Sequence, residues 1–123
     1  MPNPIKIKAT VIDIKCYSTD IFKVTFSVPS RATKFKPGQF LHLALDSFDP
    51  SIGYWPDSRV FSICSCPGSD SIEFIYSIKG QFTKRMSHEL QKGKEVWLKL
   101  PYGDFIFEPY FLLLSTSLSQ FLT

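Results

Sequence analysis

Six short segments of this sequence are rich in β-branched and aromatic residues, and apolar and polar residues alternate along most of them. A period of two places successive side chains on opposite faces, which is typical of a strand with one buried face. Turn residues separate the segments, including Pro-Gly pairs at 37–38 and 67–68. The segments span residues 5–14, 21–28, 39–45, 59–65, 71–79 and 95–100. This order predicts an all-β fold, a six-stranded antiparallel Greek-key barrel.

One segment between the fifth and sixth predicted strands has helical character instead. Helix-forming residues fill the stretch TKRMSHELQKG, in which Met86 and Leu90 are four residues apart and therefore share one helix face. Gly93 follows in a position that favours helix termination. We therefore expect one α-helix at about residues 83–91 that plugs the barrel.

Length and composition are those of a single globular domain. The chain has 123 residues, of which 44% are hydrophobic, and this is enough for a continuous core. Its basic residues are spread among acidic ones, so the formal net charge of +3 gives little support to a nucleic-acid partner. The sequence shows no secretory leader and no apolar stretch long enough to cross a bilayer. We expect a cytoplasmic protein without a membrane segment.

Three cysteines, Cys16, Cys64 and Cys66, cannot all pair within one chain, which favours reduced thiols in the core. Two cysteines two residues apart fall well short of a zinc site, so we expect no metal. His42 and His88 lie on a predicted strand and the predicted helix, and we expect both to be structural or at the surface.

A long loop at 46–58, DSFDPSIGYWPDS, connects the third and fourth predicted strands. Its Tyr54 and Trp55 could cover either the core or a ligand. Core cover is the expectation, because large aromatic side chains are mostly buried against protein.

The stretch RVFSICS at 59–65 places a guanidinium, an aromatic ring and a hydroxyl close together in a predicted buried strand. Strand alternation puts Arg59 and Phe61 on one face and Val60 and Ser62 on the other. A purely structural interpretation is available, in which the arginine reaches to water and the serine bonds a neighbouring carbonyl.

A second stretch, IKGQFTKRM at 78–86, has a glycine-containing turn that leads into the predicted helix. Free backbone N–H groups at Gln81, Phe82 and Thr83 could point at an anion, because helix N-termini bind phosphate. The alternative is an ordinary turn with Thr83 as the N-cap. A third stretch, LPYGDF at 100–105, shows by itself only a turn.

Taken in order, KPGQF, RVFSICS, IKGQFT and LPYGDF resemble the FAD-binding domain of the ferredoxin–NADP reductase superfamily, over about residues 5–108. The resemblance implies that the strand from Arg59 through Val60 and Phe61 to Ser62 holds FAD. Arg59 would pair with the pyrophosphate and Phe61 would lie against the isoalloxazine ring. Ser62 would hydrogen-bond near the flavin N5 and is the one residue given a catalytic role. Phe61 stands where family members often carry tyrosine, which preserves stacking but removes a phenol.

The same resemblance implies a second phosphate-binding element in Lys79, Gly80, Gln81, Phe82 and Thr83. Their backbone amides and the Thr83 hydroxyl would complete a cradle for the pyrophosphate. The residues implied to lie beside the ribityl or adenosine portion are Ser77, Ile78 and Lys79. A second phosphate-binding element favours FAD over FMN.

The implied function is that of the FAD-binding part of an NAD(P)H-dependent oxidoreductase, which passes electrons from nicotinamide through flavin to an unknown acceptor. We expect residues 1–109 to form the FAD-binding domain. Residues 110–123 lack the glycine-rich turn that opens the family's nicotinamide-binding domain, and we expect a truncated or degenerate start of that domain. NAD(P)H would then bind a missing second domain or a partner chain. The alternatives are a stand-alone flavin-binding or electron-transfer subunit and, less favoured, a small barrel that binds single-stranded nucleic acid.

Overall fold

The computed structural model describes residues 4–36, 38–65 and 70–103 of the chain. Within these ranges six strands, one α-helix and a short 3₁₀ helix follow one another along the sequence. Their bounds are β1 Ile5–Ser18, β2 Ile21–Ser27, the 3₁₀ helix Ser30–Thr33, β3 Phe40–Ala44, β4 Ser58–Ser62, β5 Ser71–Ser77, α1 Gln81–Glu89 and β6 Glu95–Tyr102. The predicted six strands and single α-helix are confirmed. No helix in the described ranges is long and apolar enough to cross a membrane.

The strands form one antiparallel sheet in the order β4-β3-β6-β1-β2-β5. β1 is long enough to pair twice, with β6 through residues 5–10 and with β2 through residues 10–18. A register shift between Val11 and Asp13 falls near the junction of the two pairings, where a bulge bends the strand. The non-sequential order confirms the predicted Greek-key arrangement, with the sheet curled into a barrel.

The two edge strands, β4 and β5, meet just beyond the end of β4. The backbone N–H of Cys64 donates to the carbonyl of Glu73 at 2.9 Å, and the N–H of Glu73 donates to Ser65 Oγ at 3.1 Å. The rings of Phe61 and Phe74 stack beside this junction, with centroids 4.5 Å apart. These contacts close the barrel at one end of the β4–β5 seam.

Buried Gln39 connects three segments at the same end of β4. Its side-chain oxygen accepts from the N–H of Lys36 at 2.7 Å, and its amide nitrogen donates to the carbonyl of Gly103 at 2.9 Å. The backbone carbonyl of Gln39 accepts from the N–H of Ile63 at 3.1 Å. Gly103 has φ +92, and a Cβ there would come within 2.7 Å of the Phe40 ring, so this position requires glycine.

Alternate side chains of the strands fill the barrel. The largest fully buried ones are Phe26, Phe74, Ile7, Leu41, Leu43, Ile72, Met86, Leu98, Leu100, Val11, Val24 and Val96. α1 adds Phe82 and Met86, and Leu90 follows directly after it. The expectation that Met86 and Leu90 plug the barrel from one helix face is therefore confirmed.

Several boundaries differ from those predicted. β1 continues to Ser18 because it forms a tight hairpin with β2, and α1 begins at Gln81 rather than near Thr83. β4 has no fully buried residue, so the prediction of a buried strand is wrong. It lies at the sheet edge, where only one neighbour covers it.

The expectations for Tyr54, Cys16 and Cys64 need correction, and those for Cys66 and for the domain boundary lie outside the described residues. Tyr54 is 76% exposed and does not cover the core, whereas Trp55 is half-buried. Cys16 and Cys64 carry free thiols, but both residues are exposed rather than in the core. Although the Cys64 residue is exposed, its Sγ lies against β5 and donates to the Glu73 carbonyl at 3.3 Å. Desolvation there, and then the Glu73 carboxylate, raise the pKa of the Cys64 thiol to about 11. The domain boundary at 109–110 and the character of residues 110–123 lie outside the described residues.

Candidate functional site

A cavity of about 530 Å³ opens beside the β4–β5 seam. Three segments line it: the first part of β4, the last part of β5, and the turn that leads into α1. The lining residues are Arg59, Val60, Phe61, Ile75, Tyr76, Ser77, Lys79, Gly80, Gln81, Phe82 and Thr83. Two of them are cationic and none is acidic, so the cavity suits an anionic ligand of nucleotide size.

The cavity exists because β4 and β5 do not pair along their length. The hydrogen bond between Cys64 and Glu73, if continued as an antiparallel ladder, would place Phe61 opposite Tyr76 and Val60 opposite Ser77. No such ladder forms in the described part of the chain, and residues 59–61 and 75–77 instead line the two sides of the cavity. The sheet therefore opens into a wedge whose walls are unpaired strand edges.

Arg59 lies at the open end of this wedge. Its guanidinium carbon is 4.6 Å from the centre of the Phe82 ring, so β4 and α1 are linked by a cation–π contact. Its Nη1 donates to Asp57 Oδ1 at 2.7 Å and to the carbonyl of Ser58 at 2.9 Å. Half of the side chain remains exposed, because the Asp57 pair lies at the surface. The other N–H groups of the guanidinium are therefore open to an anion.

Aromatic rings form the inner wall of the wedge. Phe61 stacks on Phe74 with an interplanar angle of 6°, and its edge contacts Tyr76 with centroids 6.2 Å apart. Phe61 remains partly exposed to the cavity, whereas Tyr76 is buried. Burial raises the pKa of the Tyr76 phenol to about 12, which keeps it protonated at neutral pH. The wall is aromatic and uncharged.

The N-terminus of α1 forms the opposite wall. Gly80 is the N-cap and has no side chain to accept a hydrogen bond, and the first intrahelical bond runs from Lys84 N–H to the Gly80 carbonyl. Within the described residues, the backbone N–H groups of Gln81, Phe82 and Thr83 have no acceptor. These are the donors that a helix offers to an anion, with the positive end of the helix dipole behind them.

The Thr83 hydroxyl is used within the turn itself. It accepts from the N–H groups of Lys79 at 2.8 Å and Gly80 at 3.1 Å, and it donates to the Gly80 carbonyl at 3.2 Å. Thr83 therefore occupies the third helical position and reaches back to the turn, so the alternative of Thr83 as the N-cap is wrong. Its hydroxyl fixes the direction of the free N–H groups instead of projecting as a donor of its own.

Gly80 is not required by the protein around it. Its φ of −164° is extended backbone that any residue adopts, and a Cβ built there would meet no protein atom within 4 Å. Gly80 nevertheless lines the cavity. A glycine that neither conformation nor packing demands is consistent with space kept for a ligand that approaches the backbone closely.

Nine of the eleven residues implied by the sequence line this one cavity; Ser62 and Ile78 are not among its lining residues. Ser62 is exposed at the end of β4, and the N–H of Ile78 donates to the carbonyl of Asp20. Sequence reasoning missed Ile75, Tyr76 and the Asp57 partner of Arg59. Strand spacing could have found Asp57, since residues two apart project to one side. In the described ranges no three His, Cys, Asp or Glu side chains gather as a metal site.

The barrel, the wedge and the free N–H groups of α1 together are suited to binding a nucleotide cofactor. A family model described as an FAD-binding domain matches residues 6–110, so the chain belongs to that family. It is an FAD-binding domain, and its cofactor is FAD. No curated protein sequence matches the chain significantly.

Solved structures share the fold. The ferredoxin reductase of carbazole 1,9a-dioxygenase superposes with a TM-score of 0.70 at 22% identity, covering 89% of this chain and 32% of that one. A cytochrome P450 reductase from Amycolatopsis gives 0.71 at 19% identity, covering 89% and 32%. A ferredoxin NADP⁺ reductase from Neisseria gonorrhoeae with bound FAD and NADP gives 0.64 at 19% identity, covering 82% and 39%. The present chain thus spans about a third of the length of these proteins.

Proposed function

We propose that the wedge between β4, β5 and α1 is the FAD site, and that this domain serves an NAD(P)H-dependent flavoprotein oxidoreductase. The observation that carries the proposal is the convergence of Arg59, the free N–H groups of α1 and the unfilled space at Gly80 on one cavity without carboxylates. Each of these features suits an anion, and together they suit a pyrophosphate.

The pyrophosphate would lie between Arg59 and the start of α1. Because Arg59 stacks on Phe82, the guanidinium and the N–H groups of Gln81 and Phe82 belong to one local unit. Lys79 adds a second positive charge at the rim. Two cations and a helix terminus would hold the two phosphates from different sides, which supports FAD over FMN.

The flavin ring would lie along β4, against Phe61. Phe61 is braced from behind by Phe74, so its ring offers a fixed apolar wall. Ser62, next along the strand and exposed, would hydrogen-bond near the flavin N5. Ser77 and Ile78 would contact the ribityl or adenosine portion from the other wall. When bound, FAD supplies the redox chemistry, hydride acceptance at N5 and onward transfer of electrons, while protein groups position it.

The test of the site is Arg59→Ala. Loss of a charge-assisted contact to phosphate costs about 1.5 to 3 kcal/mol, so FAD affinity should fall about tenfold to a hundredfold or somewhat more. Arg59→Lys should recover only part of the loss, because an ammonium lacks the paired donors of the guanidinium. Titration with FAD, monitored by flavin fluorescence, measures both.

Two controls make that result specific. Arg31→Ala removes an exposed arginine outside the cavity and should leave FAD affinity unchanged. Riboflavin lacks phosphate, so its weaker binding should be indifferent to Arg59→Ala. Equal losses for FAD and riboflavin, or an apo domain that unfolds on substitution, would mean that Arg59 does not bind the pyrophosphate.

The redox role is tested separately, with the FAD-loaded chain mixed with NADH or NADPH in the absence of oxygen. Bleaching of the flavin band by either nucleotide supports a reductase function within this chain. Reduction by dithionite with no bleaching by either nucleotide would favour the second candidate, a flavin-binding subunit whose nicotinamide site is on another domain or chain.

A further inference from the structure

A row of basic residues crosses the outer face of the barrel, on the strands at the centre of the sheet. Lys6 of β1 is directly opposite Lys99 of β6, and Lys99 is opposite His42 of β3. Residues directly opposite one another share a face, and the neighbours Ile7, Leu43 and Leu98 are buried, so this row points outward. Lysines directly opposite each other repel, which destabilises the sheet.

Two further cations extend the row into a surface, which we name the basic face: Lys6, Lys8, Arg31 and Lys99. Within the described residues no carboxylate lies within ion-pairing distance of any of these four side chains. Their four charges exceed the formal net charge of the whole chain, which is +3. These four cations lie on the side of the barrel away from the β4–β5 seam, and the one carboxylate on the same outward face of β6 is that of Glu95, at the start of the strand.

Aromatic rings pack against the lysines of the basic face. The Lys6 ammonium is 5.1 Å from the centre of the Phe48 ring, and Lys8 is 5.7 Å from Trp97. Phe48 is buried and also contacts both tryptophans of the chain, Trp97 at 5.1 Å and Trp55 at 5.3 Å between centroids. Phe48 is buried and both tryptophans are half-buried, which leaves limited ring surface for stacking of nucleic-acid bases.

The loop at 46–58 is anchored to this face and presents an apolar tip beside it. Pro50 lines a groove of about 470 Å³ together with Lys6, Lys8 and Arg31. Ile52 and Tyr54, next along the loop, are 75% and 76% exposed, the highest values among the exposed large apolar residues described. The three acidic residues of this loop are all engaged within the protein: Asp49 accepts from the N–H and hydroxyl of Ser51, Asp57 pairs with Arg59, and Asp46 pairs with Arg85.

We propose that the basic face and the loop tip together form a peripheral binding site for an anionic lipid surface. Anionic headgroups would neutralise the four cations and remove the repulsion between Lys6 and Lys99. Ile52 and Tyr54 would enter the interface, where an aliphatic side chain and an amphipathic phenol are stable. An unpaired basic surface next to an exposed apolar tip fits a membrane interface better than a polar partner, which would leave the tip in water.

Intrinsic tryptophan fluorescence can monitor binding at this site, because both tryptophans of the chain, Trp55 and Trp97, lie at the basic face. Vesicles of phosphatidylserine and phosphatidylcholine are added to the protein, and pure phosphatidylcholine vesicles serve as the reference. We expect binding and a blue shift only with phosphatidylserine. Raising the salt from about 0.1 M to about 1 M should release the protein, as the Debye length falls from ~10 Å to ~3 Å.

Two double variants separate the charge contribution from the apolar contribution. Lys6→Gln with Lys8→Gln should weaken vesicle binding by roughly fivefold for each lysine. The charge-matched control, Lys84→Gln with Lys92→Gln, removes exposed lysines elsewhere and should change binding less than about twofold.

The apolar variant is Ile52→Ser with Tyr54→Ser, which should weaken binding by about tenfold or more while leaving the melting temperature unchanged. Ile12→Ser with Tyr17→Ser is its control, since these two residues are exposed on the distal part of β1. No binding to phosphatidylserine vesicles, or equal binding to both vesicle types, would overturn the proposal. A loss on lysine removal without any loss at the loop tip would overturn it too, and would point to a polyanion, tested directly with a single-stranded oligonucleotide.

Discussion

Replacement of Gln39 by methionine isolates the hydrogen bonds that connect the turn at 36–39 to the end of β6. Gln39 is 4% exposed, and its side chain makes two bonds, from the Lys36 N–H at 2.7 Å and to the Gly103 carbonyl at 2.9 Å. Methionine has a similar length and volume, so the cavity contribution should be small. The expected loss of stability is therefore mainly that of the two hydrogen bonds.

The size of the stability loss depends on whether the Lys36 N–H and the Gly103 carbonyl can bond to water once Gln39 is replaced. Lys36 is exposed and Gly103 is half-buried, so water can partly replace the lost bonds to both groups. The cost of each lost hydrogen bond is therefore at the low end of the usual range for buried polar groups. At about 1 kcal/mol for each bond, Gln39→Met should lower the free energy of unfolding by about 2 kcal/mol. That is roughly a thirtyfold change in the unfolding equilibrium.

Urea denaturation of the apo protein measures this value, with Gln91→Met as the matched control. Gln91 is exposed and makes one long bond, 3.3 Å to the carbonyl of His88, so its replacement should cost less than about 0.5 kcal/mol. A loss below about 0.5 kcal/mol for Gln39→Met, at an unchanged slope of free energy against urea, would refute the reasoning. Gln39→Glu adds a sign test: a carboxylate cannot donate to Gly103, so this variant should regain stability as the pH falls and the acid becomes protonated.

Three further predictions concern the site and its surroundings. Gly80→Ser should raise apo stability by a few tenths of a kcal/mol, because serine is a good N-cap, yet lower FAD affinity by about tenfold or more, measured by denaturation and titration. The pKa of the Cys64 thiol is raised to about 11, so its reaction with iodoacetamide should become about tenfold faster for each pH unit between about pH 8 and pH 10. Peptide mass spectrometry measures the rate, and a rate that levels off in this pH range would contradict the raised pKa. Burial and then the charge of Lys99 lower the pKa of His42, so the unfolded chain takes up the proton first and stability should fall as the pH drops through about 6.5. His42→Gln should flatten that slope in urea melts, and an unchanged slope would exclude His42 as its source.

The strands, the helix and most residues of the proposed FAD site could be found from local sequence patterns. Strand alternation and turn residues are local properties, so six strands and a helix could be assigned without the fold. Motif order located Arg59, Phe61 and Gly80, and these three line one cavity in the structure. The strand ends and the start of α1 shifted by a few residues, because hairpin pairing and the Thr83 hydroxyl, rather than propensity, set them.

Which strands pair, and where two neighbouring strands separate, depends on contacts between residues far apart in the sequence. A hydrogen bond between Cys64 and Glu73 joins the ends of β4 and β5, and the two strands then separate to form the wedge. No local sequence pattern in either strand predicts this separation. The opposition of Lys6 and Lys99 likewise follows from the register of β1 against β6, across more than ninety residues of sequence. Register and closure arise from packing the whole core at once, because a shift of one residue would turn every buried side chain of a strand to the solvent. The sequence shows basic residues spread along the chain, and the register places Lys6 and Lys99 next to each other on one face.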